Sequence, residues 1–302
     1  MKMSVNIAGI EWKNPVAAAA GIVASGKEYS PYLDFNAMGA ITSKGVSNDM
    51  WLGNPVPRIT ESYGGIVSSI GVQNNGVAAF IKDDAPFFNR LSTVGIVNVC
   101  GQTIYDYVKV AEALNDINGV SMLELNLAYS DDFTTDVNFS NCPKRTEQVV
   151  KAVKKATNLP VITKLTPNVT DITEIAKAAE AAGSDALSMI QGLSALKINI
   201  RTKKPSLGNT YGTLTGPAIK PVAVRCVYQV AKATKLPIIG MGGITTGDDA
   251  IEFLLAGASA VAVGSAIFSN PKAPLLVLEG IKDYMQRNNI QDVNEITGKS
   301  IA

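Results

Sequence analysis

Polar side chains stand in or directly after short apolar runs of this chain, where strands of a sheet would end. Two of them are lysines, Lys44 and Lys164, and two are asparagines, Asn98 and Asn126. A buried ammonium group is costly without a partner, so each lysine taken alone is typical of a structural ion pair. Two lysines and two asparagines together, all at the ends of predicted strands, favour a site for an anionic ligand instead.

Small residues follow the last two of these apolar runs. Gly242 and Gly243 follow the seventh run, and Gly264 and Ser265 follow the eighth. A tight turn explains either pair alone, but glycines also let backbone N–H groups at a helix N-terminus approach a phosphate closely. A phosphate next to a polar edge suggests flavin mononucleotide (FMN), in which a lysine would stabilise the reduced ring. A phosphorylated sugar fits as well, and composition does not separate the two ligands.

The apolar runs are the predicted strands, and they alternate with stretches whose apolar residues recur every three or four positions, as in amphipathic helices. The runs are continuously apolar, which is typical of parallel strands covered on both faces. Eight such units in 302 residues predict a (β/α)8 TIM barrel, as a single domain over residues 1–302, with a doubly wound sheet as the alternative. The loops after strands seven and eight are the usual phosphate site of these barrels. The predicted strands are Val16–Ala20, Ala40–Ser43, Gly95–Val99, Met122–Asn126, Val161–Leu165, Ala186–Gln191, Ile238–Met241 and Ala260–Val263, and the clearest helices are Lys144–Ala156, Ile172–Ala182 and Ala218–Ala233.

Two long stretches have no regular pattern, Val46–Gly76 and Gly192–Gly216. Both follow predicted strands, so we expect them to overhang the catalytic mouth of the barrel, and loops of such length in a compact domain are usually functional. The second stretch is basic. We expect a solvated hairpin there, with anion attraction or partner docking as the alternative. Its basic residues are Lys197, Arg201, Lys203 and Lys204.

Composition excludes several classes of site. The chain has no histidine, which excludes a Ser-His-Asp triad, a Cys-His dyad and a histidine-ligated metal. The cysteines Cys100, Cys142 and Cys226 form no Cys-x-x-Cys pair, so we expect no metal or cluster site and no disulfide framework. The net charge of +1 predicts no nucleic-acid partner. The apolar segments Pro15–Ala24 and Phe253–Phe268 are interpreted as buried pieces rather than membrane spans, and a cytoplasmic enzyme is expected.

Eight short motifs are spread over nearly the whole chain: Asn14-Pro-Val, Thr42-Ser-Lys44, Gly53-Asn-Pro-Val-Pro-Arg58, Gly71-Val-Gln-Asn74, Glu124-Leu-Asn126, Lys164-Leu-Thr-Pro-Asn168, Gly216-Pro-Ala-Ile-Lys-Pro221 and Gly240-Met-Gly-Gly-Ile244. Together they are highly specific. With them the chain resembles the class 1 dihydroorotate dehydrogenases, and especially their class 1B catalytic subunit.

The resemblance implies a (β/α)8 barrel that binds FMN at its strand ends and oxidises dihydroorotate to orotate in pyrimidine synthesis. Class 1B members pass the electrons to NAD through a second subunit, which carries FAD and an iron–sulfur cluster. A homodimer, or a heterotetramer with such a subunit, is therefore expected. The flavin contacts carried over by motif are Ala20, Gly21, Lys44, Asn98, Asn126, Lys164, Gly216, Gly242, Gly243, Gly264 and Ser265.

The catalytic loop departs from the family's pattern. Where the family has Asn-x-Ser-Cys-Pro-Asn, with the cysteine as base, this chain has Asn126-Leu-Ala-Tyr-Ser-Asp131. Tyr129 stands at the position of the base, and with a reference pKa of about 10 a tyrosine is a poor base but a reasonable acid. One interpretation is that Tyr129 protonates a substrate carbon, as a tyrosine does in old yellow enzymes. The other is that its side chain only fills the space left by a lost substrate. Ser130 and Asp131 are alternative proton carriers.

A displaced cysteine does not restore the base. A gapless alignment with the family places Cys142 directly before Pro143 at a helix start, where we expect a structural cysteine.

The predicted substrate pocket changes as well. Ser68, Asp131 and the pair Gln191-Gly192 stand where the family has asparagine-containing positions. A site that loses amide contacts to a planar substrate loses much of its discrimination. The candidate catalytic residues are Tyr129, Lys44 and Ser130, and the candidate substrate contacts are Lys44, Ser68, Ile70, Gly71, Asn126, Asp131, Gln191 and Gly192.

Three functions remain open on the sequence. The first is an FMN-dependent oxidoreductase that exchanges a hydride between flavin N5 and a CH–CH or C=C bond next to a carbonyl. Its substrate is dihydroorotate or orotate, or else a different unsaturated carbonyl compound reduced with Tyr129 as the proton donor. The second is a catalytically silent flavin-binding partner of a true dehydrogenase subunit. The third is a sugar-phosphate isomerase or aldolase barrel.

Overall fold

Eight parallel strands close into a barrel in this computed structural model, which describes residues 1–127 and 139–301. The strands in chain order are β1 Val5–Ile7, β2 Ile10–Trp12, β3 Val16–Ala18, β4 Ala40–Val46, β5 Ile59–Ser62, β6 Gly65–Ser68, β7 Val94–Val99, β8 Met122–Asn126, β9 Val161–Leu165, β10 Ala186–Met189, β11 Leu193–Ala195, β12 Ile198–Asn199, β13 Lys204–Pro205, β14 Gly212–Thr215, β15 Ile238–Met241 and β16 Ala260–Val263. The barrel runs β3, β4, β7, β8, β9, β10, β15, β16 and closes on β3. The predicted (β/α)8 barrel is confirmed, and the doubly wound sheet is excluded.

The bounds of four predicted strands, β8, β9, β15 and β16, agree with the structure. β3 and β10 end earlier than predicted, at Ala18 and Met189, because the residues that follow them leave the strand and line a cavity. β4 is longer than predicted and continues through Lys44 to Val46. Its register against β7 shifts between Thr42 and Gly45, which is the mark of a β-bulge.

Helices cover the outside of the barrel. They are α1 Val77–Ala79, α2 Ala85–Phe88, α3 Ile104–Leu114, α4 Pro143–Ala156, α5 Ile172–Ala181, α6 Lys220–Ala233, α7 Gly247–Leu255, α8 Ala266–Ser269 and α9 Ala273–Arg287. The predicted start of α6 at Ala218 was wrong, because Pro217–Ile219 form a 3-10 turn. In that turn the Ile219 N–H donates to the Gly216 carbonyl, three residues earlier.

The two stretches expected to be irregular fold together into one antiparallel sheet, in the order β11-β14-β6-β5. In this sheet Ser68 of β6 pairs with Thr213 of β14. β5 and β6 form a local hairpin. The pairing of β6 with β14 joins distant parts of the chain, so no local sequence pattern predicts it. As expected, the basic segment is an exposed hairpin, formed by β12 and β13.

The amino-terminal hairpin β1–β2 precedes the first barrel strand and buries the Trp12 side chain completely. Within residues 1–127 and 139–301, no helix is both long and apolar enough to cross a membrane.

Candidate active site

A cavity opens at the carboxyl ends of β9, β10, β15 and β16, beside the residues that follow β3. This is the end of the barrel where active sites of this architecture lie. The end of β14 also borders the cavity, so the antiparallel sheet forms part of its wall. Of the residues predicted from the sequence, the cavity brings together Ala20, Lys164, Gln191, Gly192, Gly216, Gly242, Gly243, Gly264 and Ser265.

The glycines that directly follow β15 and β16 leave part of the cavity wall without side chains. Gly243 has a φ of +80°, and a Cβ there would lie 2.9 Å from the Gly216 carbonyl oxygen. Glycine is therefore required at this position by both conformation and space. At Gly264 a Cβ would meet only the Ala19 Cβ, at 3.8 Å, so the backbone there is open. The short helix α8 begins directly after Ser265. This arrangement leaves open backbone where the sequence predicts a phosphate site, after the last two strands.

Lys164, which lines the cavity, belongs to a buried polar cluster of four side chains. Lys164 Nζ is 3.3 Å from Glu124 Oε1, with only 7% and 3% of the two side chains exposed. Asn98 Nδ2 donates to Glu124 Oε1 at 2.6 Å. The Ser188 hydroxyl donates to Glu124 Oε2 at 2.7 Å. The cluster joins four neighbouring strands, from β7 to β10, and holds the lysine that lines the cavity.

Two side-chain amide oxygens at the carboxyl end of the barrel have no hydrogen-bond partner among the described residues. Asn126 Nδ2 donates to Asn98 Oδ1 at 3.3 Å, but Asn126 Oδ1 is buried with no hydrogen-bond partner in the described chain. Gln191 Oε1 is also buried and, among residues 1–127 and 139–301, without a partner. Buried acceptors are nearly always satisfied in proteins. These two oxygens are therefore acceptors available to a donor outside the described residues, such as a bound ligand.

Lys44 lies in the bulged part of β4 rather than at its end. Its backbone N–H donates to the Ala24 carbonyl at 2.7 Å. Its ammonium group is half-buried and makes no hydrogen bond or ion pair with the described residues. The two lysines thus differ, because Lys164 has the ion-pair partner that Lys44 lacks.

Four further flavin and substrate candidates are not among the residues that line this cavity. Gly21 follows the cavity residue Ala20 and has a φ of +78°. Ser68 ends β6, and Gly71 follows it in a turn where a Cβ would lie 2.5 Å from the Asn54 nitrogen. Ile70, in the same turn, is 39% exposed. The candidates Tyr129, Ser130 and Asp131 lie outside the described residues.

The described cysteines do not supply a base. Cys142 is the residue before α4, which starts at Pro143, as the alignment predicted. Cys100 is the thiol nearest the polar cluster, with Sγ 3.5 Å from Asn98 Oδ1. Burial raises the pKa of Cys100 to about 12, so the thiol stays protonated at neutral pH.

Sequence reasoning missed Glu124 and Ser188 as members of the site. Glu124 was visible only as part of the motif that contains Asn126. Its signal was a charge inside an otherwise apolar strand, two positions before Asn126 and so on the same face of β8. Ser188 carried no signal of its own, because serine is common in buried strands.

These features fit FMN. The side-chain-free backbone at β15 and β16 would hold its phosphate, and Lys164 would lie at the edge of the ring that gains negative charge. The unpaired amide oxygens would accept hydrogen bonds from the ring or from a substrate beside it.

Comparison with known proteins gives a consistent assignment. The family model for dihydroorotate dehydrogenase matches residues 2–285. The chain is 56% identical over 297 residues to the "Dihydroorotate dehydrogenase B (NAD(+)), catalytic subunit" of Alkaliphilus oremlandii, covering 98% of each chain. It is 53% identical to the protein of the same name from Alkaliphilus metalliredigens, covering 99% of this chain and 98% of the relative.

A solved structure shows the same fold. The crystal structure of DHODH in complex with ferulenol from Eimeria tenella superposes with a TM-score of 0.81 at 21% identity, covering 99% of this chain and 89% of the other. At that identity the likeness concerns the fold alone. The family match and the two bacterial relatives carry the assignment further: the chain belongs to the dihydroorotate dehydrogenase family of pyrimidine metabolism, whose enzymes are FMN-dependent oxidoreductases acting on CH–CH donors.

Proposed function

We propose that this protein exchanges a hydride between flavin N5 and a CH–CH or C=C bond next to a carbonyl, with dihydroorotate and orotate as the first substrate pair to test. One observation carries the proposal. A single cavity at the carboxyl end of the barrel is lined both by Lys164, the ion-pair partner of Glu124, and by the open backbone of Gly243 and Gly264.

Bound FMN supplies the hydride chemistry, which side chains do not provide. Gly242, Gly243, Gly264 and Ser265 would hold the phosphate, because their backbone can approach it closely. Lys164 would favour negative charge at the adjoining ring edge. Asn98 would contact the same edge, held in place by its hydrogen bonds to Glu124 and Asn126.

The substrate half of the proposal uses Lys44, Asn126 and Gln191. Lys44 has an ammonium group free of described partners, which suits a carboxylate on the substrate. Asn126 and Gln191 present buried amide oxygens that would accept hydrogen bonds from N–H groups. Ser68, Ile70 and Gly71 would border the substrate from the turn after β6, and Gly192 would do so after β10.

A second substrate class is favoured by the sequence itself. Tyr129 occupies the position of the family's cysteine base, and a tyrosine is better suited to giving a proton than to taking one at neutral pH. In this version an unsaturated carbonyl compound other than orotate is reduced, with Tyr129 as the proton donor. Ser130 would serve as donor if Tyr129 does not.

The relatives are named catalytic subunits, and we propose a partner for this chain on that basis. The partner would be an electron-transfer subunit with FAD and an iron–sulfur cluster, in a heterotetramer built on a homodimer of this chain. Like the cytoplasmic location expected from composition, this assembly is a proposal. A catalytically silent flavin-binding role beside a true dehydrogenase subunit is the alternative to an active enzyme.

Anaerobic flavin spectroscopy distinguishes the two substrate classes and the catalytically silent role on one protein sample. Bleaching of bound FMN by dihydroorotate would support the first substrate pair. Reoxidation of photoreduced FMN by another cyclic enone or unsaturated carbonyl compound, without a response to dihydroorotate or orotate, would support the second substrate class. A flavin that responds to none of these compounds would overturn the enzymatic proposal and leave the silent partner.

A further inference from the structure

Glu124 is a buried carboxylate to which the proposed function gives no chemical role of its own. Its side chain is 3% exposed, and its Oε1 lies 3.3 Å from Lys164 Nζ. The same oxygen accepts a hydrogen bond from Asn98 at 2.6 Å, and the other oxygen accepts one from Ser188 at 2.7 Å. Donors thus reach both oxygens, and the Lys164 ammonium group is one of these donors.

A flavin ring gains negative charge when it is reduced. An ammonium group at its edge favours the reduced form, and a carboxylate in the same place opposes it. Charges in a buried site are screened weakly. Because Glu124 is in direct contact with Lys164, the pair presents a much smaller net charge to the ring than the lysine alone would.

We propose that Glu124 is a positioning residue that holds Lys164 and Asn98 at the flavin edge and lowers the reduction potential of the flavin by offsetting the lysine's charge. The inference rests on the proposed function, since it needs FMN beside Lys164. It adds a physical reason for a glutamate within an apolar strand. A flavin held at too high a potential would accept a hydride and then give up its electrons slowly.

A purely structural role for Glu124 makes a different prediction. If Glu124 only packs in the barrel interior and accepts hydrogen bonds there, its replacement would change the stability of the fold. It would not move the potential of the flavin in a direction set by the sign of the charge removed.

The test is the midpoint potential of bound FMN, measured by anaerobic titration against reference dyes. Glu124→Gln removes the charge but keeps the shape and an acceptor oxygen for Lys164, so the potential should shift to a more positive value. Lys164→Met should shift it to a more negative value. The double variant should return close to wild type, because the two charges are removed together.

Asp185, directly before β10, offers a matched control at the other end of the barrel strands. Asp185 pairs with Lys154 at 2.6 Å and accepts a hydrogen bond from Val161, the first residue of β9, at the opposite end from Lys164. Asp185→Asn makes the same change in charge and should leave the potential at the wild-type value.

The outcomes are separable. An unchanged or more negative potential in Glu124→Gln, with FMN bound, overturns the inference but leaves the proposed function standing. A wild-type protein that binds no FMN overturns the proposed function itself. If Glu124→Gln yields no folded protein, the midpoint potential is measured in Glu124→Asp instead. This change moves the carboxylate away from Lys164 by the length of one methylene group. That variant should show a smaller positive shift, and no shift would overturn the inference.

Discussion

The hydroxyl of Tyr107 donates a hydrogen bond of 2.9 Å to the backbone carbonyl of Asn126. The same ring packs edge-on against Phe139, with the ring centroids 5.8 Å apart. Burial raises the pKa of the Tyr107 hydroxyl well above its usual range, so the group stays a donor at any physiological pH. Helix α3 thereby fixes the end of β8, where Asn126 faces the site.

Replacing Tyr107 by phenylalanine should loosen this end of β8. The partly buried Asn126 carbonyl would lose the Tyr107 hydroxyl as a donor, and the loss of such a hydrogen bond costs about 1 kcal/mol. We expect the urea midpoint of unfolding to fall accordingly and the KM for substrate to rise, while FMN stays bound. Tyr105→Phe is the control on the same helix, because the Tyr105 side chain is 63% exposed. Equal stability of the two variants would show that the Tyr107 hydrogen bond contributes nothing.

The phosphate site can be tested at Gly264. An added Cβ there would touch only the Ala19 Cβ, at 3.8 Å, so Gly264→Ala should fold normally. The methyl group would stand where the backbone is expected to meet the phosphate. We expect the affinity for FMN to fall by about tenfold, which is about 1.4 kcal/mol. The affinity for riboflavin, which has no phosphate, should stay the same. An equal loss for both ligands would place the phosphate elsewhere.

Gln191 should matter for the substrate rather than for the fold. Its buried Oε1 has no partner in the described part of the chain, so Gln191→Met removes an unsatisfied acceptor. The unfolding free energy should stay equal or rise, while the KM for the true substrate should increase by about tenfold. Gln148→Met, on the exposed face of α4, is the control. A loss of stability with an unchanged KM would make Gln191 a structural residue.

The proposed role of Tyr129 as proton donor can be tested by measuring the rate of substrate reduction. Tyr129→Phe should slow the reoxidation of reduced flavin by the true substrate at least about tenfold, since general acid catalysis typically contributes more than that. Stopped-flow absorbance of the flavin measures this rate. Ser130→Ala tests the alternative donor in the same assay. A full rate in Tyr129→Phe together with a slow Ser130→Ala variant would transfer the role to Ser130.

The barrel was predictable from sequence because parallel strands covered on both faces are continuously apolar, and β8, β9, β15 and β16 were found with their observed bounds. The polar residues at strand ends were predictable for the same reason, since Lys164 interrupts such a run. The antiparallel sheet was not predictable, because β6 and β14 pair across a long sequence separation. The role of Glu124 also required coordinates, because only the 3.3 Å contact shows which charge it offsets.

Every proposal above requires that FMN binds across the carboxyl end of the barrel. The most direct measurement is the absorbance spectrum of the purified protein, before and after incubation with FMN and removal of the unbound ligand. The predicted result is a flavin spectrum with FMN bound in a ratio close to one per chain. A colourless protein that takes up no FMN would contradict the claim.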